Sequence, residues 1–136
     1  MSVPVTSFKQ QVTFNTTPEE LYEQIMDAIK HAKLTGGKAT MSRKVGGEFS
    51  LFDGSAHGKN IELILNKRIV QTWRMRQDDW PEDVMSEITF DFIPMGKNKT
   101  KLVFTQRNIP SNLADDFKQG WKDYYWKPLK SIFSRK

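Results

Sequence analysis

The stretch Val45-Gly46-Gly47-Glu48-Phe49-Ser50-Leu51-Phe52-Asp53-Gly54-Ser55-Ala56-His57-Gly58 sets four glycines around two short apolar runs. Gly46-Gly47 and Asp53-Gly54 tolerate positive φ and favour tight turns. Between them, Phe49 and Leu51 alternate with Glu48 and Ser50, the spacing of a strand. The stretch reads as turn, strand, turn, strand. It holds no nucleophile–base set, no cluster of metal ligands and no phosphate loop, so it reads as a fold signature, not an active site.

Working outward, the same alternation continues. Phe8, Gln10, Val12 and Phe14 share one face of a first strand. Thr17 is placed to cap a helix, with Pro18 at its first position and Glu20 where a capping box needs it. Leu21, Ile25 and either Ala28 or Ile29 follow at helical spacing. The helical signal runs to about Leu34, interrupted near Asp27, and Gly36-Gly37 ends it. A short strand is expected from Ala39 to Arg43. Later runs alternate Ile61, Leu63 and Leu65; Ile69, Gln71, Trp73 and Met75; Ile88, Phe90 and Phe92; and Leu102 and Phe104. Asn66-Lys67 and Met95-Gly96-Lys97-Asn98 are short turns, and residues 77–83 form a polar loop. Short links between alternating runs imply an antiparallel meander covered on one face.

The last segment is helical. Ser111 or Asn112 is a candidate cap, and Asp115-Asp116 suit the positive end of the helix dipole. Phe117, Trp121, Tyr124, Tyr125, Leu129, Ile132 and Phe133 form an apolar stripe. Gly120 costs about 1 kcal/mol relative to alanine in a helix, which close approach to the sheet would offset. Pro128 is expected to kink the helix, since it cannot bond the Tyr124 carbonyl.

At 136 residues the chain is one domain's worth, and a single domain over 1–136 is expected. With no cysteine, disulfides and thiolate metal sites are excluded, and a reducing compartment fits. No charged-then-apolar leader opens the chain, and no apolar run approaches the roughly 18 residues of a membrane span. A soluble, cytoplasmic monomer is the expectation. The net charge of +5 is spread over scattered residues with no nucleic-acid motif, so neither nucleic acid nor membrane is expected as a partner.

The order of strand, helices, long meander and long C-terminal helix resembles the helix-grip fold of the START and birch-pollen-allergen superfamily. That fold is α+β: a curved antiparallel sheet wrapped around a long C-terminal helix, with short helices after the first strand. More specifically, an ordered set of motifs resembles the C-terminal-type domain of the activator of heat-shock protein 90 ATPase family. The set is Thr17-x-Glu19-Glu20-Leu21-Tyr22, Gly46-Gly47-x-Phe49, Asp53-Gly54, Gly58, Ile69-Val70-x-x-Trp73-Arg74, Trp80-Pro81, Thr100-x-Leu102, Asn108-Ile109-Pro110 and Gly120-Trp121-x-x-Tyr124. The resemblance implies a co-chaperone that binds heat-shock protein 90 and stimulates its ATPase. Eukaryotic members typically add an N-terminal domain, and none is expected within these 136 residues. The superfamily also includes carriers of small apolar ligands, which is the alternative function.

The chemistry points away from catalysis. His31 and His57 are far apart, and His57 reads as a surface or turn residue. Asp78-Asp79 and Asp115-Asp116 are explained by turn formation and helix-dipole placement. No enzyme activity, metal or cofactor is expected. Phe49, Trp73, Phe90, Phe104, Trp121 and Tyr125 are candidates to line a cavity between sheet and helix, or to fill it. Phe49 is expected to pack under the terminal helix. Arg74 and Arg76 alternate away from Trp73 and Met75 and are candidate partner contacts. Trp80, in its polar loop, is either tucked against the sheet edge or offered to a partner.

Overall fold

The computed structural model describes residues 4–134. Strand β1 (Val5–Phe14) leads into helices α1 (Pro18–Met26) and α2 (Ala28–Thr35). Strands β2 (Thr40–Met41), β3 (Glu48–Leu51), β4 (Ala56–Ile64), β5 (Arg68–Met75), β6 (Ser86–Pro94) and β7 (Thr100–Pro110) follow. The chain ends in helix α3 (Ala114–Trp121), a π-helical turn (Lys122–Trp126) and helix α4 (Lys127–Ile132). The strands form one curved antiparallel sheet in the order β1-β7-β6-β5-β4-β3-β2. This is the helix-grip arrangement. Among the described residues no helix is long and apolar enough to cross a membrane.

The helix boundaries have local causes. Thr17 Oγ1 accepts the Glu20 N–H at 3.2 Å. Asp27 is extended (φ −87°, ψ 118°), so it ends α1, and its carboxylate accepts the Lys30 N–H at 3.0 Å to start α2. Gly36, left-handed at φ 84°, closes α2. The C-terminal helix begins differently from expectation. Neither Ser111 nor Asn112 caps it with a side chain; a 3-10 turn, Ser111–Leu113, leads in, and the Ala114 N–H bonds the Ser111 carbonyl.

The strands bury the expected face: Phe8 and Phe14 on β1, Ile69, Gln71 and Trp73 on β5, Ile88, Phe90 and Phe92 on β6, and Leu102 and Phe104 on β7. Strand β4 departs. Its pairing with β5 slips by one residue between Asn60 and Glu62. Ala56, Gly58 and Asn60 therefore face inward, while Ile61 and Leu65 are exposed. His57 lies within this strand, opposite Ser50 and Arg74, and not in a turn.

The terminal helix is interrupted ahead of Pro128, as a π-helical turn. The Lys127 N–H bonds the Lys122 carbonyl, one residue further back than in an α-helix. That extra residue shifts the phase of the buried stripe. Trp121, Tyr125, Leu129 and Phe133 are buried as expected, and Trp126 joins them. Tyr124 and Ile132, expected inside, are 53% and 47% exposed.

Two indoles lock this helix onto the sheet. Trp121 Nε1 donates to Gln106 Oε1 at 2.9 Å, and Trp126 Nε1 donates to Gln10 Oε1 at 2.6 Å. Gln106 in turn donates to Ser86 Oγ at 3.0 Å, and Gln10 donates to the Lys118 carbonyl at 3.0 Å. A buried donor left unpaired costs about 1–3 kcal/mol, so sliding the helix by one residue is penalised at both indoles.

Candidate functional site

The space between helix and sheet is filled on one side and open on the other. On the β6–β7 side, Trp121 packs on Phe104 (ring centroids 4.4 Å apart) and Phe90 (6.1 Å). On the β5 side a cleft of about 430 Å³ opens, lined by Trp73, Met75, Phe117, Trp121 and Tyr125. Of the six candidate lining residues, the structure brings Trp73, Trp121 and Tyr125 to this cleft. Phe90 and Phe104 are filled core instead, because they face Trp121 directly. Phe49 is buried core at a different, polar pocket beside Glu48, His57 and Arg76.

Three contributors to the cleft are visible only in the fold. Gly120 lines it, and a Cβ built there would meet nothing within 4 Å. The close helix–sheet approach expected at Gly120 is therefore not found; the missing side chain leaves the cleft open. Phe52 and Tyr124 form the rim, edge to face with ring centroids 5.5 Å apart. Phe52 reaches this position through a strained turn. Phe52, Asp53 and Gly54 have φ of 52°, 58° and 94° in succession. Left-handed geometry costs roughly 1–2 kcal/mol for each non-glycine residue. The strain is held by paired bonds to Lys38: the Asp53 N–H reaches its carbonyl at 3.1 Å, and its N–H reaches Asp53 Oδ1 at 3.1 Å.

Trp80 is tucked, not offered. It is 1% exposed, packs against Phe117 and Trp73 at 5.4 and 6.0 Å, and donates Nε1–H to the Val84 carbonyl at 2.8 Å. Its place among candidate partner contacts is corrected: the indole holds the 77–85 loop against the back of the cleft. Arg74 and Arg76 remain on the outer side. Arg74 Nη2 donates to the Trp80 carbonyl at 2.9 Å, and Arg76 is exposed.

His31 is a core residue, 2% exposed. Its Nδ1 lies 2.8 Å from the Ile25 carbonyl, which can only accept, so Nδ1 carries the proton. Nε2 then accepts from the Tyr125 hydroxyl at 2.7 Å. Burial lowers the His31 pKa below its ordinary 6.5 and raises that of Tyr125, so both are neutral at pH 7. A histidine held neutral in the fold takes up its proton more readily when unfolded. Its stabilising contribution is therefore full above the unfolded value of 6.5 and is lost as pH falls from there toward the folded pKa. His57 is shifted the same way, by burial, then Arg76, then Arg74. The urea midpoint is expected to fall between about pH 7.5 and pH 5. A smaller fall in His31→Gln checks the assignment. An equal fall in that variant assigns the slope to other groups.

Among the described residues no three His, Asp or Glu side chains gather in a metal-binding cluster. Asp79 accepts from Gln77 at 2.6 Å, and Asp115 pairs with Lys118 at 3.5 Å. The cleft is an aromatic recess whose lining also includes Ser55, Gln77 and Asp116.

Comparisons with known proteins agree with this geometry. Residues 15–134 match the family model described as Activator of Hsp90 ATPase homolog 1-like protein. The activator of 90 kDa heat shock protein ATPase homolog 1 of Homo sapiens is 33% identical over 98% of this chain and 38% of its own length. The Dictyostelium discoideum homolog is 32% identical over 94% of this chain and 33% of its own length. The chain thus spans little more than a third of these relatives. The crystal structure of an HSP90 activator from Plasmodium falciparum superposes with a TM-score of 0.88 at 33% identity, covering 95% of this chain and 96% of that one. An Aha1 dimer from Colwellia psychrerythraea, 20% identical, shares the fold with a TM-score of 0.76 over 93% of this chain and 96% of that one.

Proposed function

The chain belongs to the Activator of Hsp90 ATPase homolog 1-like family, and from that membership we propose that it is a non-enzymatic co-chaperone. It binds the heat-shock protein 90 dimer in the cytoplasm, as a monomer, and raises the chaperone's ATPase rate. The observation that carries this reading is the likeness to the Plasmodium falciparum activator over nearly the full length of both chains. The mechanism is population shift. The chaperone hydrolyses ATP from a closed state, and a partner that binds that state better makes it more populated. About 1.4 kcal/mol of differential binding shifts the equilibrium tenfold, and the activator needs no catalytic residue for that. By linkage, nucleotide that favours closure tightens activator binding.

The test is the chaperone ATPase rate with and without this chain, with binding measured in the presence of a non-hydrolysable ATP analogue. Stimulation together with nucleotide-dependent binding supports the reading. No binding and no change in rate would sink it. Since the chain spans about 38% of the human relative, the assay also asks whether this domain stimulates by itself.

The aromatic cleft favours a second reading, a site for a small apolar compound. Its volume is of the size that holds such ligands. Gly120 separates the two. Gly120→Ala is expected to raise stability by up to about 1 kcal/mol, because the new methyl meets no neighbour and alanine is the better helix former. Urea unfolding measures it. Gly120→Leu projects a side chain into the cleft. The ligand reading requires it to abolish any thermal shift by fatty acids, whereas the co-chaperone reading expects ATPase stimulation to survive.

A further inference from the structure

The end of strand β5 presents an unusual pair: Arg74 within the strand and Arg76, one residue past its end. Of the five described arginines, Arg43 pairs with Glu23 at 2.6 Å, Arg68 with Asp91 at 2.6 Å, and Arg107 with Glu87. Arg74 and Arg76 have no carboxylate partner among the described residues. Both lie on the side of β5 away from the cleft. His57 sits across the ladder from Arg74, and the Arg76 N–H extends the pairing to the Ser55 carbonyl at 2.6 Å.

Two further features prepare this place for a ligand. Arg74 is pre-organised: Nη2 is held by the Trp80 carbonyl, and its buried Nε has no acceptor. A guanidinium already fixed loses little freedom when it binds. The surroundings are also graded in charge. Grooves on either side share Arg76; Glu48 lines one, and Asp78 and Glu82 line the other. A positive centre between acidic edges suits a protein surface with an isolated carboxylate. It repels a uniform polyanion such as nucleic acid.

We propose that Arg74 and Arg76, with His57 beside them, are the contact through which this domain holds an aspartate or glutamate side chain of the chaperone. This rests on the co-chaperone reading above. Arg76, the exposed member, is the point of closest charge pairing, and Arg74 adds a fixed positive charge behind it.

The experiment compares three forms for affinity to purified heat-shock protein 90 with a non-hydrolysable ATP analogue: the wild-type chain, Arg76→Glu and Lys97→Glu. Lys97 lies in the β6–β7 turn, at the opposite end of the sheet, and carries the same change in net charge. Arg76→Glu is expected to weaken binding by about tenfold or more, and Lys97→Glu by less than about twofold. The difference should narrow as salt is raised. Unchanged thermal midpoints show that both variants fold. Equal binding by the two variants, with wild type binding, overturns this inference and leaves the co-chaperone reading standing. Failure of the wild-type chain to bind overturns both. Arg76-dependent retention of duplex DNA in place of the chaperone also overturns it.

Discussion

Gly58→Ala is expected to destabilise the protein by about 3 kcal/mol or more, or to prevent folding. A Cβ at this position would lie 2.6 Å from the Thr72 carbonyl carbon, closer still to its oxygen, and 2.8 Å from Phe49 Cζ. Thr72 belongs to the neighbouring strand, so relief requires moving backbone in the middle of a sheet. The ring of Phe49 cannot yield either, because it is itself buried. Urea unfolding of the variant measures the loss. A cost below about 1 kcal/mol would mean that the two strands separate freely here, against this account. Gly120→Ala is the matched control, since the same methyl there meets open space.

Trp80→Ala is expected to cost about 3–5 kcal/mol, the range for removing a large buried aromatic. It removes the ring from contact with Trp73 and Phe117 and leaves the Val84 carbonyl without the indole donor. It also loosens the Trp80 carbonyl that holds Arg74. A tryptophan offered to a partner gives the opposite pattern: weakened chaperone binding at unchanged stability. Measuring both quantities at low temperature, where the variant is still folded, distinguishes the two. Loss of binding alone would falsify the structural role.

The reading of Trp80 shows where sequence reasoning runs out. Its neighbours are Asp79 and Pro81, and nothing local says that Phe117 comes from a helix far along the chain to cover it. The same holds for Tyr124 and Trp126. Helical spacing assigns Tyr124 inward and omits Trp126, and only the π-helical turn ahead of Pro128 reverses the two. On β4 the one-residue slip near Asn60 exposes Ile61, although the alternation itself gives no sign of it. By contrast, Gln10 and Gln71 sat on inward-facing positions from the start. Polar residues at core positions signal buried hydrogen bonds, and Gln10 is the acceptor for Trp126.

The family came from the resemblance of an ordered set of motifs; from residue types and their spacing came the element order, the caps at Thr17 and Gly36 and the inward faces of four strands. These depend on local periodicity and on backbone preferences that each residue carries with it. The glycines of the Val45–Gly58 stretch do separate tasks. Gly46 and Gly54 turn the chain at positive φ, while Gly58 admits a neighbouring strand. Tertiary structure decided the rest: a cleft open at Gly120, a rim at Phe52 and Tyr124, a buried Trp80, and two arginines without a carboxylate partner among the described residues. Each of these depends on which distant side chain or strand arrives opposite a residue. That is set by register and packing, and no short window of sequence contains it.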